Sequence, residues 1–143
     1  MKRTSVFKTA VAAALFAVMV AGAASAAAVK AKLTSVKGDV QTRASASASW
    51  QGAKTGDTIA EGAQIKCGPG AEAVVGWGKG NVLKVSALSS VTFTGLSADG
   101  SSSNSKMTLE SGKVFAKSGK LTKGSVFEVR TPTAVAGVRG TGF

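Results

Sequence analysis

The hydrophobic positions of this chain fall into two regimes. Residues 10–20, AVAAALFAVMV, are continuously apolar. Beyond residue 30 the apolar positions alternate with polar ones over short stretches. Ala73, Val75 and Trp77 share one parity, as do Leu83 and Val85, Val91 and Phe93, Met107 and Leu109, and Phe127 and Val129. A period of two is that of a half-buried strand, and nothing past the first segment repeats at 3.6. Turn signals separate these runs: Gly38-Asp39 between Val36 and Val40, Gly56-Asp57 before Thr58-Ile59, Gly62 before Ile65, Cys67-Gly68-Pro69-Gly70, Gly78-Lys79-Gly80-Asn81, and Ser111-Gly112-Lys113 before Val114-Phe115. The low-complexity ASASAS of 44–49 and the GLSADGSSSNSK of 95–106 are expected to be loops. Strands at this spacing predict an all-β domain, solenoid-like or sandwich-like. Its core is expected to hold Trp50, Trp77, Leu83, Phe93, Leu109, Phe115 and Phe127.

The apolar first segment belongs to targeting. Lys2, Arg3 and Lys8 precede it, and the small residues AGAASAAA follow at 21–28. This is the layout of a secretory signal peptide. Ala24-Ser25-Ala26 fits the small-x-small cleavage rule and places the cut before Ala27. The competing reading is a membrane anchor, since Thr9 to Val29 carries no charge, but its second half is Ala and Gly. The expected organisation is a signal peptide over 1–26, a short linker over 27–32 and a β domain over 33–143. Cleavage would leave no membrane span and a periplasmic or secreted protein.

Composition narrows the chemistry. The 143 residues include 18 Lys and Arg, seven Asp and Glu, one Cys, and neither His nor Tyr. Without His there is no His-based triad and no His metal site. One Cys cannot make an internal disulfide or a thiolate metal cluster. The few carboxylates are scattered, which leaves little for paired acid–base work. A non-enzymatic protein without cofactor is expected. The formal charge of +11 becomes +8 once the first 26 residues leave with three basic ones. Such a charge suits anionic envelope polymers such as lipopolysaccharide or wall polysaccharide. The lysines are dispersed, however, and equally suit a solvated surface with protected strand edges. Lys113, Lys117, Lys120 and Lys123 form the densest group. Export argues against nucleic acid as a partner.

Three features invite a closer reading. Cys67, beside its Gly-Pro-Gly turn, is expected to be a half-buried free thiol; a reactive thiol or an intermolecular crosslink is the alternative. Trp50 and Trp77 suit core packing better than sugar stacking. Around Thr131-Pro132, the residue before proline avoids the helical region. Gly137 and Gly140 flank Val138-Arg139 and permit positive φ or close backbone approach. The Arg139 guanidinium, with its rigid fork of donors, suits a structural clamp on turn carbonyls or on Asp39, Asp57 or Glu72; contact with an anionic ligand is the other reading.

The segments SVKGDVQTR, GDTIAEGAQIKCGPGAEAVVGW, SSVTF, MTLESGKVFAKS and FEVRTPTAVAGVRGTGF resemble, in order, the FecR domain named for the ferric-citrate regulator. They run over roughly residues 33–143. The run from Thr131 and Pro132 through Gly137, Arg139, Gly140 and Thr141 is the most specific. The resemblance implies an all-β domain outside the inner membrane, with a role in envelope signalling or protein interaction and an envelope protein as partner. The chain also departs from the regulator. A signal peptide directly precedes the domain, where the regulator has an anti-sigma segment and a span. Cys67 stands where the family often has Thr. The chain stops at Phe143, where the family usually adds a strand, so a truncated or minimal copy is expected.

Overall fold

The structure, a computed structural model, describes residues 27–99 and 102–139. The proposed cleavage residues Ala24 and Ala26, and Gly140 and Thr141 of the signature, lie outside the described residues. So does the side chain of Arg139.

Thirteen strands make up the described residues, with no helix among them. They are β1 (Ala27–Ala28), β2 (Ala31–Lys37), β3 (Val40–Arg43), β4 (Gln51–Gly52), β5 (Thr58–Ile59), β6 (Gln64–Cys67), β7 (Glu72–Trp77), β8 (Asn81–Val85), β9 (Ser90–Asp99), β10 (Ser102–Ser111), β11 (Val114–Lys117), β12 (Val126–Arg130) and β13 (Val135–Arg139). One sheet has the order β13-β12-β10-β9-β6-β3-β4, with β1 alongside β9. The other has the order β11-β8-β7-β2-β5.

The two orders reveal how the chain is laid down. Neighbours β3, β6, β9 and β10 in the first sheet continue directly into β2, β7, β8 and β11 of the second. Four long antiparallel strands are each bent once, so a single meander is folded in half. The bends stack in a row. Gly68 N donates to Asp39 O at 2.8 Å, Leu88 N to Gly68 O at 3.3 Å, and Ser86 N to Lys113 O at 3.0 Å. The two halves form a two-layered, sandwich-like β fold, antiparallel except where β12 joins β10 in parallel.

Backbones approach too closely at these bends for ordinary side chains. Gly38 has φ +72°, and a Cβ there would lie 3.0 Å from Ala71 Cα. Joining the third bend to the fourth, Ser89, fully buried, donates from Oγ to Lys113 O at 3.0 Å and accepts from Lys113 N at 2.8 Å. Gly112 packs directly on it.

Alternation fills the space between the halves. Ala73, Val75, Trp77, Leu83 and Val85 from one sheet meet Ile65, Val91, Phe93, Met107, Leu109 and Phe127 from the other in one core. Trp77 stacks on Phe127 at 5.9 Å and meets Phe93 edge-on at 6.0 Å. The core also takes Ala31, Leu33, Val40 and Ile59. Within residues 27–32, expected as a linker, Ala27–Ala28 and the first residues of β2 are paired in the sheets.

Three expectations need correction. The serine-rich segment expected as a loop is strand in its described residues: β9 runs to Asp99 and β10 starts at Ser102. Leu96 and Ser105 point into the core, and β10 is paired on both sides, by β9 and by β12. Phe115 is 59% exposed because β11 is an edge strand, and Val114 takes the inward position instead. Trp50 lies outside the core, with the Arg43 guanidinium 4.5 Å over its ring.

The link from β10 to β12 is the one long connection. Those strands pair in parallel, so the chain must cross over. It does so through β11 and a strap over residues 118–125. Gly119 N donates to Asn81 Oδ1 at 2.9 Å, and Ser103 N to Ser125 Oγ at 3.0 Å. The strap thus closes the end of the sandwich opposite the bends.

Candidate functional site

The signature segment forms the β12–β13 hairpin. Thr131 precedes Pro132 at its tip. Thr131 N donates to Ala134 O at 2.7 Å, and Ala134 N donates to Thr131 Oγ1 at 2.9 Å. The threonine hydroxyl therefore substitutes for a backbone acceptor at the turn, which gives Thr131-Pro132 a structural reason.

From that closing pair the ladder alternates. Val129–Ala136 and Phe127–Val138 are the hydrogen-bonded pairs, so the backbone groups of Val135, Gly137 and Arg139 point away from β12. Among the described residues no strand lies beyond β13. Val135 is 62% exposed, and Ala136 and Gly137 are also exposed. Gly137 has neither of the properties expected from its sequence. Its φ is not positive, and a Cβ would come no closer than 3.7 Å to Phe127 O. Of the carboxylates named as partners for Arg139, Glu72 is paired with Lys84 at 2.9 Å and Asp57 Oδ2 accepts from Lys54 N at 2.8 Å.

On the hairpin's flank, Arg130 Nε is paired with Glu128. On β10, Glu110 accepts from Thr92 Oγ1 at 2.6 Å and Ser90 Oγ at 3.3 Å. This outer face is thus polar and largely self-satisfied.

Cys67 is more deeply placed than expected. It ends β6, is 2% exposed and faces the core, with Sγ 3.7 Å from Val85 O. Burial pushes its thiol up from 9.0 to about 11. A protonated, enclosed thiol is a poor nucleophile.

A hollow of about 480 Å³ sits beside the 44–49 loop, lined by Arg43, Asp57 and small residues. Its charged groups are engaged: Arg43 Nε donates to Gln64 Oε1 at 2.5 Å while the guanidinium covers Trp50, and Asp57 accepts from Lys54 N. Trp50 is neither core nor a free sugar platform. The basic group of Lys113, Lys117, Lys120 and Lys123 is exposed along β11 and the strap. Among the described residues no three Cys, Asp or Glu side chains converge as metal ligands.

The edge strand was legible as a motif but not as an edge. Position in the sheet depends on the parallel pairing of β12 with β10, which no local pattern encodes.

No curated relative and no solved structure matches this chain. The family profile described as FecR protein matches residues 63–143. The match starts at β6 and runs through the last three bends, the strap and the β12–β13 hairpin. It covers more than half of the sequence, and the chain belongs to the FecR protein family.

Proposed function

We propose that this chain is an exported, non-catalytic recognition module of the cell envelope, and that it engages a protein partner by strand addition at β13. The observation that carries this reading is the outward-facing backbone of Val135, Gly137 and Arg139 on an exposed edge within the family's most specific segment. An unpaired strand edge is a template for another chain's strand. Membership of the FecR family supports a role in envelope signalling, and a composition without His supports recognition over catalysis.

Gly137→Pro tests the edge. Proline there removes an outward N–H without touching the β12 ladder, and its ring suits a sheet edge. Loss of crosslinking between β13 and an envelope protein, with thermal stability kept, supports strand addition. Unchanged crosslinking overturns it. Export has its own test: mass spectrometry of the native protein should give an N-terminus near Ala27, and an intact membrane-integral form starting at Met1 would refute it.

A second reading rests on the exposed Lys113, Lys117, Lys120 and Lys123. It makes the chain a basic binder of lipopolysaccharide or wall polysaccharide. Retention on such polymers should then be salt-labile and fall on Lys113→Gln with Lys117→Gln, while Gly137→Pro leaves it intact.

A further inference from the structure

Under the strap the two sheets part and leave a cavity of about 300 Å³. Its floor is Trp77, held in place by a hydrogen bond from Nε1 to Ser105 Oγ at 2.8 Å and by the stacked ring of Phe127. Val29, Ala98 and Leu121 supply apolar walls, and the remaining lining is mostly serine hydroxyls. Lys79 and Lys120 stand at the rim, both exposed, and no carboxylate among the described residues lines the cavity. A void of this size is far above the water-sized gaps that a close-packed interior leaves.

The strap brings the two lysines to one cavity. Gly119 N is bonded to the buried Asn81 side chain, and a Cβ on Gly119 would lie 1.9 Å from Lys79 O. Only glycine lets the strap approach the β7–β8 turn this closely, and with that approach Lys79 of the turn and Lys120 of the strap line the same cavity. The result is an apolar slot between sheets with a two-cation mouth.

We infer that this cavity binds a single acyl chain carrying an anionic head group. A ~150 Å³ apolar void takes up benzene, so about 300 Å³ suits roughly a dozen heavy atoms, the size of a medium-chain carboxylate. The chain lies against Trp77 and Leu121. The head group sits between Lys79 and Lys120, where serine hydroxyls add hydrogen bonds. A neutral or cationic head forgoes that pairing.

The test uses the protein as its host cell produces it, with Trp50→Phe so that emission reports Trp77. Decanoate should give a saturable change in Trp77 emission. Decylamine, with the same chain and the opposite charge, should bind at least about tenfold more weakly. Lys79→Gln with Lys120→Gln should weaken decanoate at least about tenfold and leave decanol within about twofold. Ala98→Phe and Ser103→Leu, two independent ways of filling the slot, should each abolish binding in folded protein. Competition by phosphatidylglycerol vesicles would identify the chain's source as a membrane lipid; binding without such competition would identify a free fatty acid. No saturable change, equal binding of decanoate and decylamine, or unaltered affinity in both filled variants would overturn the inference.

Discussion

Trp77 and Ser105 hold the two halves of the folded meander together at the strap end, through an Nε1–H···Oγ hydrogen bond of 2.8 Å between β7 and β10. Both residues are buried, and both also line the cavity under the strap. The bond also fixes the indole plane against which Phe93 and Phe127 pack.

Ser105→Ala removes the acceptor of the Trp77 N–H. The expected cost is about 1–3 kcal/mol in denaturant unfolding, the range for an orphaned buried donor. A variant as stable as the parent would mean that the bond contributes nothing net.

The bends should separate two kinds of glycine. In Gly112→Ala the new methyl lies 2.2 Å from Ser89 Oγ, 2.6 Å from Ser89 Cα and 2.7 Å from Leu88 O, at φ +88°. Rigid backbone cannot yield, so a loss of at least ~3 kcal/mol is expected. Gly56 has a similar φ of +96° but open space around it. Gly56→Ala should cost only the left-handed strain, about 1–2 kcal/mol. Equal losses in thermal unfolding would contradict the close approach at the fourth bend.

Leu88 is the one non-glycine residue with positive φ among the described residues, at +57°, and is 66% exposed. It gains no burial to offset that strain. Asparagine tolerates the left-handed region, so Leu88→Asn should stabilise the fold by roughly 0.5–1 kcal/mol. A destabilised variant would show that the leucine side chain has a packing role at the bend.

Cys67 gives a pH signature. Its thiol ionises near pH 9.0 in the unfolded chain and near 11 in the folded one. The raised value means that its contribution to stability is complete below pH 9 and is lost as pH rises through 11. The stability difference between the parent and Cys67→Ala should therefore hold constant to pH 9 and shrink above it. Thiol reagents at pH 8 should react only on unfolding. Cys67→Ser, harmless if the residue lay in an exposed turn, should instead cost about 1–3 kcal/mol, because it brings a hydroxyl into the core.

Much of the strand pattern could be read from the chain. The alternation at Ala73, Val75 and Trp77, and at Leu83 and Val85, gives the inward set correctly because a strand's side chains must alternate. Gly38-Asp39, Gly68-Pro69-Gly70 and Gly112 mark bends for an equally local reason: each needs a conformation or an approach that larger residues resist. The same local reasoning failed for the serines of 95–106. Hydroxyl-rich sequence favours loops when nothing covers it, and here neighbouring strands on both sides of β10 satisfy its backbone.

Phe115 and Trp50 failed for the complementary reason. Their hydrophobicity predicts burial, but burial needs a partner layer. Phe115 points outward from an edge strand, and Trp50 lies beyond the sheet, where Arg43 covers it instead. Neither outcome follows from the identity of the residue.

By itself, then, the sequence determined an all-β chain, its principal bends, the inward faces of its longer strands, its excess positive charge and its family. These depend on backbone geometry and side-chain chemistry within a few residues, or on motifs carried whole. Only the tertiary structure decided that the four bends stack, that β12 joins β10 in parallel to leave β13 as an edge among the described residues, and that Gly119 brings the strap against the β7–β8 turn at the cavity floored by Trp77. Each of these joins segments far apart in the chain. Such pairings are selected by how two sheets close over one core, a choice that no local stretch of sequence contains.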